Sequence, residues 1–320
     1  MPAPVEARGL VKRYGDVTAV DDVDLTVEPG DVYGYLGPNG AGKTTVLRML
    51  LGLIMPTAGD VRLFGRSPLE HGASALEGVA GFVEAPRFYP YLTGRKNLEL
   101  LAALDGGDAA KRIDEALEIV ELTDRQRHKV GGYSHGMRQR LGVAAALLRD
   151  PKLLLLDEPA TGLDPAGMRD MRALVARLSL AGTTVLLSSH LLAEVEELCN
   201  RVAIVRKGRI VFEGALADLK RTAGGEWRLR TTDDDRALPV LQGRRGIDAV
   251  RRDPLELRFQ ATEEAAADLS VALVEAGVAI RTLAPHAATL EDLFFRLTEG
   301  DPDTVSPLAP AATTEASEAA

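Results

Sequence analysis

Residues 37–44 read GPNGAGKT and match the pattern G-x-x-x-x-G-K-S/T, which is typical of phosphate-binding loops. A short apolar and aromatic run, VYGYL at 32–36, precedes the pattern. VLRMLLGLI at 46–54 follows it with the spacing of a helix that packs on a sheet. Strand, glycine-rich loop and helix in this order are the context that the pattern requires, so the chain is predicted to be an α/β protein.

The residue types of this loop suit the binding of phosphate groups. Gly37, Gly40 and Gly42 carry no Cβ atom, so several backbone N–H groups can approach phosphate oxygens. A helix that begins near Lys43 carries about half a positive charge at its N-terminus, which favours an anion. We expect Lys43 to reach the β and γ phosphates of a nucleoside triphosphate and the Thr44 hydroxyl to bind Mg²⁺. The other predicted nucleotide-binding residues of the loop are Pro38, Asn39, Ala41 and Thr45.

A second dense stretch, LLLLDEP at 153–159, predicts the rest of the site. Four consecutive leucines are typical of a strand that is buried on both faces of a parallel sheet. Ligands of such sheets bind outside the carboxyl ends of the strands, where Asp157 and Glu158 lie. Packing explains two adjacent carboxylates poorly, because each would need a partner if it were buried. We expect Asp157 to complete the metal site with Thr44, and Glu158 to polarise the attacking water.

Composition limits the other functions that this chain could have. Its 320 residues suffice for one large domain and a smaller one, and 46% of them are hydrophobic. The net charge of −9 and the lack of a basic block do not favour nucleic acid as a partner. The single cysteine, Cys199, excludes an intrachain disulfide and is consistent with a reducing cytoplasm. No stretch approaches the roughly 18 apolar residues of a membrane helix, so we expect any membrane part to be another chain.

Three further residues and one loop admit two interpretations each. Tyr14 ends the first predicted strand and either packs there or stacks on a base. Ser134 lies among glycines before a helix and is either an N-cap or an anion site. His190 follows the strand TTVLLSSH and is either structural or a γ-phosphate contact. The aromatics of residues 86–91 either anchor their own loop or form a partner surface.

The order and spacing of these motifs resemble the nucleotide-binding subunit of ABC transporters over residues 5–220. Tyr14 resembles the adenine-stacking residue of that family, GPNGAGKTT its Walker A motif, and LLLLDEP its Walker B motif with the catalytic Glu158. GLDP at 162–165 resembles the loop at the family's dimer interface, and His190 resembles its switch histidine. The resemblance therefore favours base stacking for Tyr14 and a γ-phosphate contact for His190.

The segment YSHGM at 133–137 resembles the family signature LSGGQ. It retains Ser134 and Gly136 but has His135 and Met137 in place of glycine and glutamine. The resemblance implies a head-to-tail homodimer, in which the signature serine and glycine of one subunit bind the nucleotide held by the Walker A motif of the other.

The resemblance also implies the fold and the partners. The fold would be a P-loop NTPase of ABC type, with a mixed sheet, N-terminal antiparallel strands and a helical signature subdomain at about 85–150. The implied cofactors are ATP and Mg²⁺. The implied partner is a separate integral membrane permease that holds the subunit at the cytoplasmic face of the cell membrane.

Glu84 is the clearest departure from the family pattern, which has glutamine at this position. A glutamate keeps an oxygen ligand for Mg²⁺ but loses the amide donor and adds negative charge near the phosphates. We expect Glu84 to remain a metal ligand and to couple the site to the permease, because the neighbouring FYPYLTGRKNLE otherwise follows the family.

The composition changes after about residue 224. The pattern predicts an ATP-binding domain at 1–222 and a smaller α+β domain of ferredoxin-like type, β-α-β-β-α-β, at 223–300. Its final helix, TLEDLFFRL, resembles the C-terminal extension of bacterial drug and peptide-antibiotic exporter ATPases. Residues 301–320 contain too little bulky apolar surface to fold and are predicted to be disordered.

The predicted function is that of an ATPase that drives a separate permease and exports a drug, an antibiotic or a lipid-like substrate. One alternative is an importer subunit. Another is an ABC-type ATPase that acts on ribosomes or DNA repair complexes, which the single head and the lack of a coiled-coil insertion do not favour. A regulatory module without turnover is a further alternative, against which Glu158 and His190 argue.

Overall fold

The computed structural model describes residues 2–222 and 226–285 together with Leu293 and Phe294, without the side chains of residues 220–222. The chain divides into two compact units, of which the first ends at Leu216 and the second begins at Ala217. The strands of the first unit are β1 (Val5–Tyr14), β2 (Val17–Val27), β3 (Val32–Leu36), β4 (Ala58–Leu63), β5 (Val79–Phe82), β6 (Leu153–Asp157), β7 (Thr184–Ser189), β8 (Arg201–Arg206) and β9 (Arg209–Ala215). Its helices are α1 (Lys43–Leu50), α2 (Pro68–His71), α3 (Gly94–Asp105), α4 (Ile113–Ile119), α5 (His135–Leu147), α6 (Pro165–Leu180) and α7 (Leu192–Leu198).

Two sheets form the first unit. One is antiparallel, with the strand order β2-β1-β4, and it begins with the hairpin of β1 and β2. The other has the order β5-β6-β7-β3-β8-β9, in which the first five strands are parallel and β9 is antiparallel to β8. Apolar side chains of both sheets and of α1 share one buried core. The predicted mixed sheet with N-terminal antiparallel strands is confirmed.

The central strands of the parallel sheet are buried along their whole length. Every residue of β3, β6 and β7 is buried, as the uninterrupted leucines of β6 predict. Each fully buried leucine contributes roughly 1.5–3 kcal/mol of hydrophobic stabilisation. This rigid apolar layer fixes the carboxyl ends of the strands, and the residues just after those ends form the candidate site.

Helices connect β5 to β6, in the segment predicted to be the helical signature subdomain. It contains α3, α4 and α5. Thr93 caps α3, because its hydroxyl oxygen accepts a hydrogen bond from the Lys96 N–H (3.1 Å).

Two helices are shorter than their apolar patterns predict. The apolar spacing of Ile113, Leu117 and Val120 predicts one helix over residues 108–122. The segment is instead a 3-10 turn followed by α4, which ends before Glu121 takes a positive φ of 56°. A residue in the left-handed conformation terminates helices, and periodicity does not reveal it. The helix predicted at 46–54 is α1, which begins at Lys43 and stops before Gly52, where φ is 67°.

Helix α8 (Leu216–Thr222) begins at the last residue of the first unit, and its other residues belong to the second unit. The elements that follow are β10 (Glu226–Thr231), α9 (Asp234–Gln242), β11 (Ile247–Arg252), β12 (Leu257–Ala261), α10 (Glu263–Glu275) and β13 (Ile280–Pro285). The strands form an antiparallel sheet of order β11-β12-β10-β13, with an apolar core shared by the sheet and the helices α9 and α10.

The elements from β10 to β13 follow one another as β-α-β-β-α-β. Assignment of this unit to the ferredoxin-like type stays a prediction, as do the domain boundaries. The predicted final helix lies outside the described residues apart from Leu293 and Phe294, which are helical. The tail predicted to be disordered, residues 301–320, also lies outside them.

Candidate nucleotide-binding site

The glycine-rich loop runs from the end of β3 to the start of α1, as the sequence predicts. Gly42 is the N-cap of α1 with φ at 100°, and a Cβ atom there would lie 2.3 Å from the Ala19 carbonyl oxygen. A Cβ atom on Gly37 would lie 2.7 Å from the Val205 carbonyl oxygen. Only glycine fits at these two positions, which explains why the loop can pass so close to its neighbours. No side chain caps α1, so its N-terminal dipole faces the loop.

Lys43 carries a buried positive charge inside this loop. Its side chain is 5% exposed, and its ammonium group donates to the carbonyl oxygens of Gly37 (2.8 Å) and Pro38 (3.2 Å). The same ammonium lies 3.2 Å from Glu158 Oε1. A buried charge requires such partners, and the loop holds this one next to its own N–H groups.

Asp157 ends β6 and is 5% exposed. Its Oδ2 accepts a hydrogen bond from the Thr44 hydroxyl (2.8 Å), so the structure brings the two predicted metal ligands together. Its Oδ1 accepts from the Ser188 hydroxyl (2.5 Å) on β7, the residue directly opposite Asp157 in the parallel register. The sequence reasoning missed Ser188. The signal was the polar pair at the end of the otherwise apolar strand TTVLLSS.

Glu158 connects Lys43 to His190. Its Oε2 accepts from the Thr161 hydroxyl (2.8 Å) and from Nδ1 of His190 (3.0 Å), while its backbone N–H donates to Ser188 O (3.1 Å). The φ of Glu158 is 47°, a conformation that non-glycine residues rarely adopt and that these contacts hold in place.

The charge state of Glu158 follows from the same contacts. Burial raises the pKa of its carboxyl group, but hydrogen bonds from Thr161 and Lys43, with the charges of Lys43 and His190, lower the pKa below its ordinary value. Glu158 is therefore a carboxylate at neutral pH, a form that accepts protons and hydrogen bonds.

An open cavity of about 210 Å³ lies over this cluster. It is lined by Ala19, Asn39, Gly40, Gly42, Lys43, Thr44, Thr45 and Glu158. Most of these residues were predicted to bind the nucleotide.

Tyr14 lies at the tip of the β1–β2 hairpin, where it pairs with Val17. Its side chain is 47% exposed, and Lys12 Nζ lies 5.1 Å from the ring centroid. The ring is thus partly free to receive a flat ligand, and the cation beside it holds its orientation.

Glu84, the residue predicted to be a further metal ligand, forms an ion pair with an arginine. It lies just after β5 with φ at 68°, its side chain is 58% exposed, and its carboxylate is paired with the guanidinium of Arg48 on α1. The sequence did not reveal this partner, because Arg48 and Glu84 belong to different elements that only the tertiary structure brings together.

The signature-like segment begins α5. Ser134 is the N-cap of this helix, and its hydroxyl oxygen accepts from the Met137 N–H (3.2 Å), so its capping role is observed. Its side chain is exposed. His135 Nε2 donates to the carbonyl oxygen of Thr161 (3.1 Å), and Gly136 follows in the first turn.

The chemistry of the Thr44–Asp157 pair suits Mg²⁺. Both side chains offer oxygen atoms, which this ion prefers, and Mg²⁺ typically takes one or two protein ligands together with phosphate oxygens. Among the residues that the structure describes, no group of three or more His, Cys, Asp or Glu side chains could hold a metal by itself. A site shared between the protein and the phosphates fits this arrangement.

Comparison with known proteins identifies the family. The family model described as ABC transporter matches residues 20–161. A bacitracin transport ATP-binding protein of Bacillus licheniformis is 37% identical over 94% of this chain and 99% of its own length. This chain belongs to the ABC transporter family. A daunorubicin resistance ATP-binding protein of Streptomyces coeruleorubidus is 38% identical, over 92% of this chain and 95% of its own length.

The fold of this ABC protein agrees with a solved structure. The ATP-binding subunit of an ABC transporter has a TM-score of 0.61 and 29% identity, and the match covers 68% of this chain and 92% of that chain. The predicted family and the ABC ATPase cassette fold are confirmed, so the chain is an ATP-binding subunit with an ATPase domain. No helix within the described ranges is long and apolar enough to cross a bilayer.

Proposed function

We propose that this ABC subunit hydrolyses Mg-ATP to drive export through a separate membrane permease, and that the substrate is an antibiotic, a drug or a lipid-like molecule. The observation that carries the ATPase part is the convergence of Lys43, Glu158 and His190 beside the Thr44–Asp157 pair. The full-length similarity to a bacitracin transport protein and a daunorubicin resistance protein supports export of such substrates.

Each residue of the cluster has a role in this proposal. The loop N–H groups and Lys43 bind the β and γ phosphates, with Pro38, Asn39, Ala41 and Thr45 lining the same phosphates. Thr44 and Asp157 hold Mg²⁺, which neutralises phosphate charge when it is bound. Tyr14 stacks on the adenine.

Glu158 accepts a hydrogen bond from the attacking water, and its low pKa keeps it ionised for that task. His190 orients Glu158 through the 3.0 Å hydrogen bond and contacts the γ-phosphate.

A second copy of the chain completes each site in this proposal. The dimer is head-to-tail, and Ser134 and Gly136 of one protomer contact the γ-phosphate bound by its partner. The exposure of Ser134 at the N-terminus of the 13-residue helix α5 supports this role, because an exposed helix N-terminus favours an anion.

The permease would dock where the loop at 86–91 meets α3. Tyr89 and Tyr91 are 53% and 64% exposed there. A neighbouring groove of about 690 Å³ is lined mainly by apolar side chains, including Phe88, Leu100 and Leu104. An apolar groove with exposed aromatics suits a short helical segment of a membrane protein. Such docking would place the subunit at the cytoplasmic face of the cell membrane, and nucleic acid remains unexpected as a partner.

Transport into inside-out membrane vesicles tests the direction and the substrate class. The vesicles would contain this chain and a permease that copurifies with it, and the measurement is ATP-dependent accumulation of bacitracin and of daunorubicin. We expect accumulation of at least one of them with the intact chain and none with Glu158→Gln. The contrary result is that neither compound accumulates and that ribosomes or DNA stimulate ATP hydrolysis. It would favour an ABC-type ATPase that acts on ribosomes or DNA repair complexes.

The role of Glu84 has its own test. If Glu84 coordinates Mg²⁺ and couples the site to the permease, Glu84→Gln should change the Mg²⁺ dependence of the ATPase and its stimulation by the permease. The control is Arg48→Gln, which removes the present partner of Glu84 and leaves its carboxylate. Unchanged ATPase and unchanged stimulation in Glu84→Gln would remove the coupling role.

A further inference from the structure

Glu194 is a buried carboxylate close to the nucleotide site that has no part in the function proposed above. It lies on α7 and is 5% exposed. Its Oε1 is buried without a hydrogen-bond partner within the described part of the chain, and burial raises the pKa of the carboxyl group above its ordinary value. A half-satisfied buried carboxylate destabilises the fold, so its presence calls for a reason beyond packing.

The hydrogen bonds of Glu194 form a closed ring around the turn that carries His190. The Ser189 hydroxyl donates to Glu194 Oε2 (3.1 Å), and the Leu191 N–H donates to the Ser189 hydroxyl oxygen (2.9 Å). The Glu194 N–H then donates to the Leu191 carbonyl oxygen (3.2 Å). These three bonds enclose His190, which follows the last residue of β7 and precedes α7.

The turn at His190 is not fixed by a side-chain cap of the helix that follows it. Leu191 is the N-cap of α7 and supplies no side-chain cap, so α7 begins without the usual serine, threonine or aspartate. Ser189, by contrast, is fixed, because it is 1% exposed and pairs with Leu36 in the parallel register. The hydrogen bond between the Ser189 hydroxyl and the Glu194 carboxylate therefore connects α7 to the end of β7. His190 lies between these two elements.

We propose that Glu194 is a positioning residue that, through Ser189, aims His190 at Glu158. The 3.0 Å bond from His190 Nδ1 to Glu158 Oε2 depends on the direction in which the turn points His190. Loss of the ring frees the turn, and the imidazole then spends less time on Glu158. The proposal rests on the proposed role of His190 in ATP hydrolysis, because a histidine without that role needs no aiming.

Steady-state ATPase kinetics of the full-length chain test the proposal with Mg-ATP as the probe. We expect Glu194→Ala to lower kcat by about 10–100-fold, since small misplacements of catalytic groups have effects of this size. The KM for Mg-ATP should change less than about twofold, because the Lys43 loop is untouched. Glu194→Gln, which keeps an acceptor for the Ser189 hydroxyl, should recover most of kcat. The matched control is Glu197→Ala on the same helix, at a side chain that is 61% exposed and pairs with Arg172, and it should keep wild-type kcat.

A double-mutant cycle with His190→Ala decides whether Glu194 acts through His190. We expect Glu194→Ala to have almost no further effect on kcat once His190 is alanine, because residues that act as one unit are not additive. An equal fold-loss in both backgrounds overturns the proposal and leaves the role of His190 intact. A wild-type kcat in His190→Ala overturns the proposed role of His190 and the aiming by Glu194 together.

Folding is checked by thermal unfolding of each variant. If Glu194→Ala does not fold, Ser189→Ala replaces it in the cycle, because it removes the middle link of the same ring. Equal losses of kcat in Glu194→Ala and Glu194→Gln, accompanied by an equal loss of thermal stability, would assign Glu194 a purely structural role and overturn the proposal.

Discussion

The nucleotide site of the first unit and the sheet of the second unit place their charges in opposite ways. Lys43 and Asp157 of the site are each only 5% exposed. Two neighbouring arginines of the second sheet, Arg251 and Arg252, are 57% and 54% exposed. Arg252 pairs with Asp235, which is also mostly exposed. The charges of the nucleotide site are therefore buried, whereas these charges of the second sheet are exposed.

Exposed ion pairs and buried charges differ in their effect on the stability of the fold. Exposed ion pairs contribute about 0–1 kcal/mol, and their loss changes little. Taking charges out of water costs several kcal/mol per ion, which only good geometry and further hydrogen bonds offset. Burial of several charges at the carboxyl ends of parallel strands lowers the stability of the fold. Such a cluster therefore indicates a functional site. The second unit also buries an acidic residue, Glu226, which is 3% exposed and lies 3.8 Å from Arg251.

The largest effect should come from Glu158→Gln. The amide keeps the size of the side chain but cannot accept a proton, so we expect kcat for ATP hydrolysis to fall by about 10²–10⁴-fold. ATP binding should persist, and an ATP-bound dimer should accumulate. Phosphate release and size-exclusion chromatography with ATP are the measurements. Turnover at the wild-type rate would contradict the assignment of Glu158.

Lys43→Ala should act on binding rather than on turnover. It removes charge-assisted hydrogen bonds, each worth about 1.5–3 kcal/mol, so the Kd for ATP should rise roughly 10–100-fold. Isothermal titration calorimetry measures it. The matched control is Lys152→Ala. Lys152 is exposed and directly precedes the first residue of β6, at the end of the strand away from Asp157. An equal loss of affinity in both variants would show that the loop does not hold the phosphates.

Tyr14→Ala should have a smaller effect. Stacking of a base on an aromatic ring contributes about 1–3 kcal/mol, and the exposed position of Tyr14 favours the lower end, about a 5–10-fold rise in Kd. Tyr14→Phe keeps the ring and should bind ATP like the wild type. Tyr91→Ala serves as the control for an exposed aromatic elsewhere and should also leave the Kd unchanged. If Tyr14→Ala binds as tightly as the wild type, the ring only packs at its strand end.

Leu269→Ala should leave ATP binding unchanged while it destabilises the second unit. Leu269 is fully buried in the core that α10 shares with the sheet, and such truncations cost about 2–5 kcal/mol. Val271→Ala on the same helix, at a side chain that is 57% exposed, should change stability by less than about 0.5 kcal/mol. Chemical denaturation and ATP titration of both variants check this. A clear loss of ATP affinity in Leu269→Ala would mean that the two units are not energetically separate.

Local sequence was informative where one segment carries the whole signal. The loop at 37–44 is a single stretch whose glycines, lysine and threonine need no distant partner to be recognised. The leucine run of β6 likewise announces its own burial, and Asp157 and Glu158 follow from it. The end of α4 was not predicted, because the positive φ of Glu121 does not change the apolar periodicity of the sequence.

Local sequence patterns could not reveal hydrogen-bond partners that lie on different helices and strands. Ser188 bonds Asp157 because β6 and β7 are neighbours in the sheet. Glu84 bonds Arg48 because the end of β5 lies against α1. Glu194 reaches Ser189 only because α7 folds back on the strand end.

The sequence by itself determined the α/β class, the phosphate loop and the two carboxylates, because the chemistry of each lies within a few consecutive residues. Only the tertiary structure decided which hydroxyl groups contact Asp157 and Glu158, that Arg48 pairs with Glu84, and that Glu194 contacts Ser189. The physical reason is that a hydrogen bond forms between atoms about 3 Å apart in space. Distance along the chain, here 31 residues between Asp157 and Ser188, does not restrict such a bond once a parallel sheet has set the register.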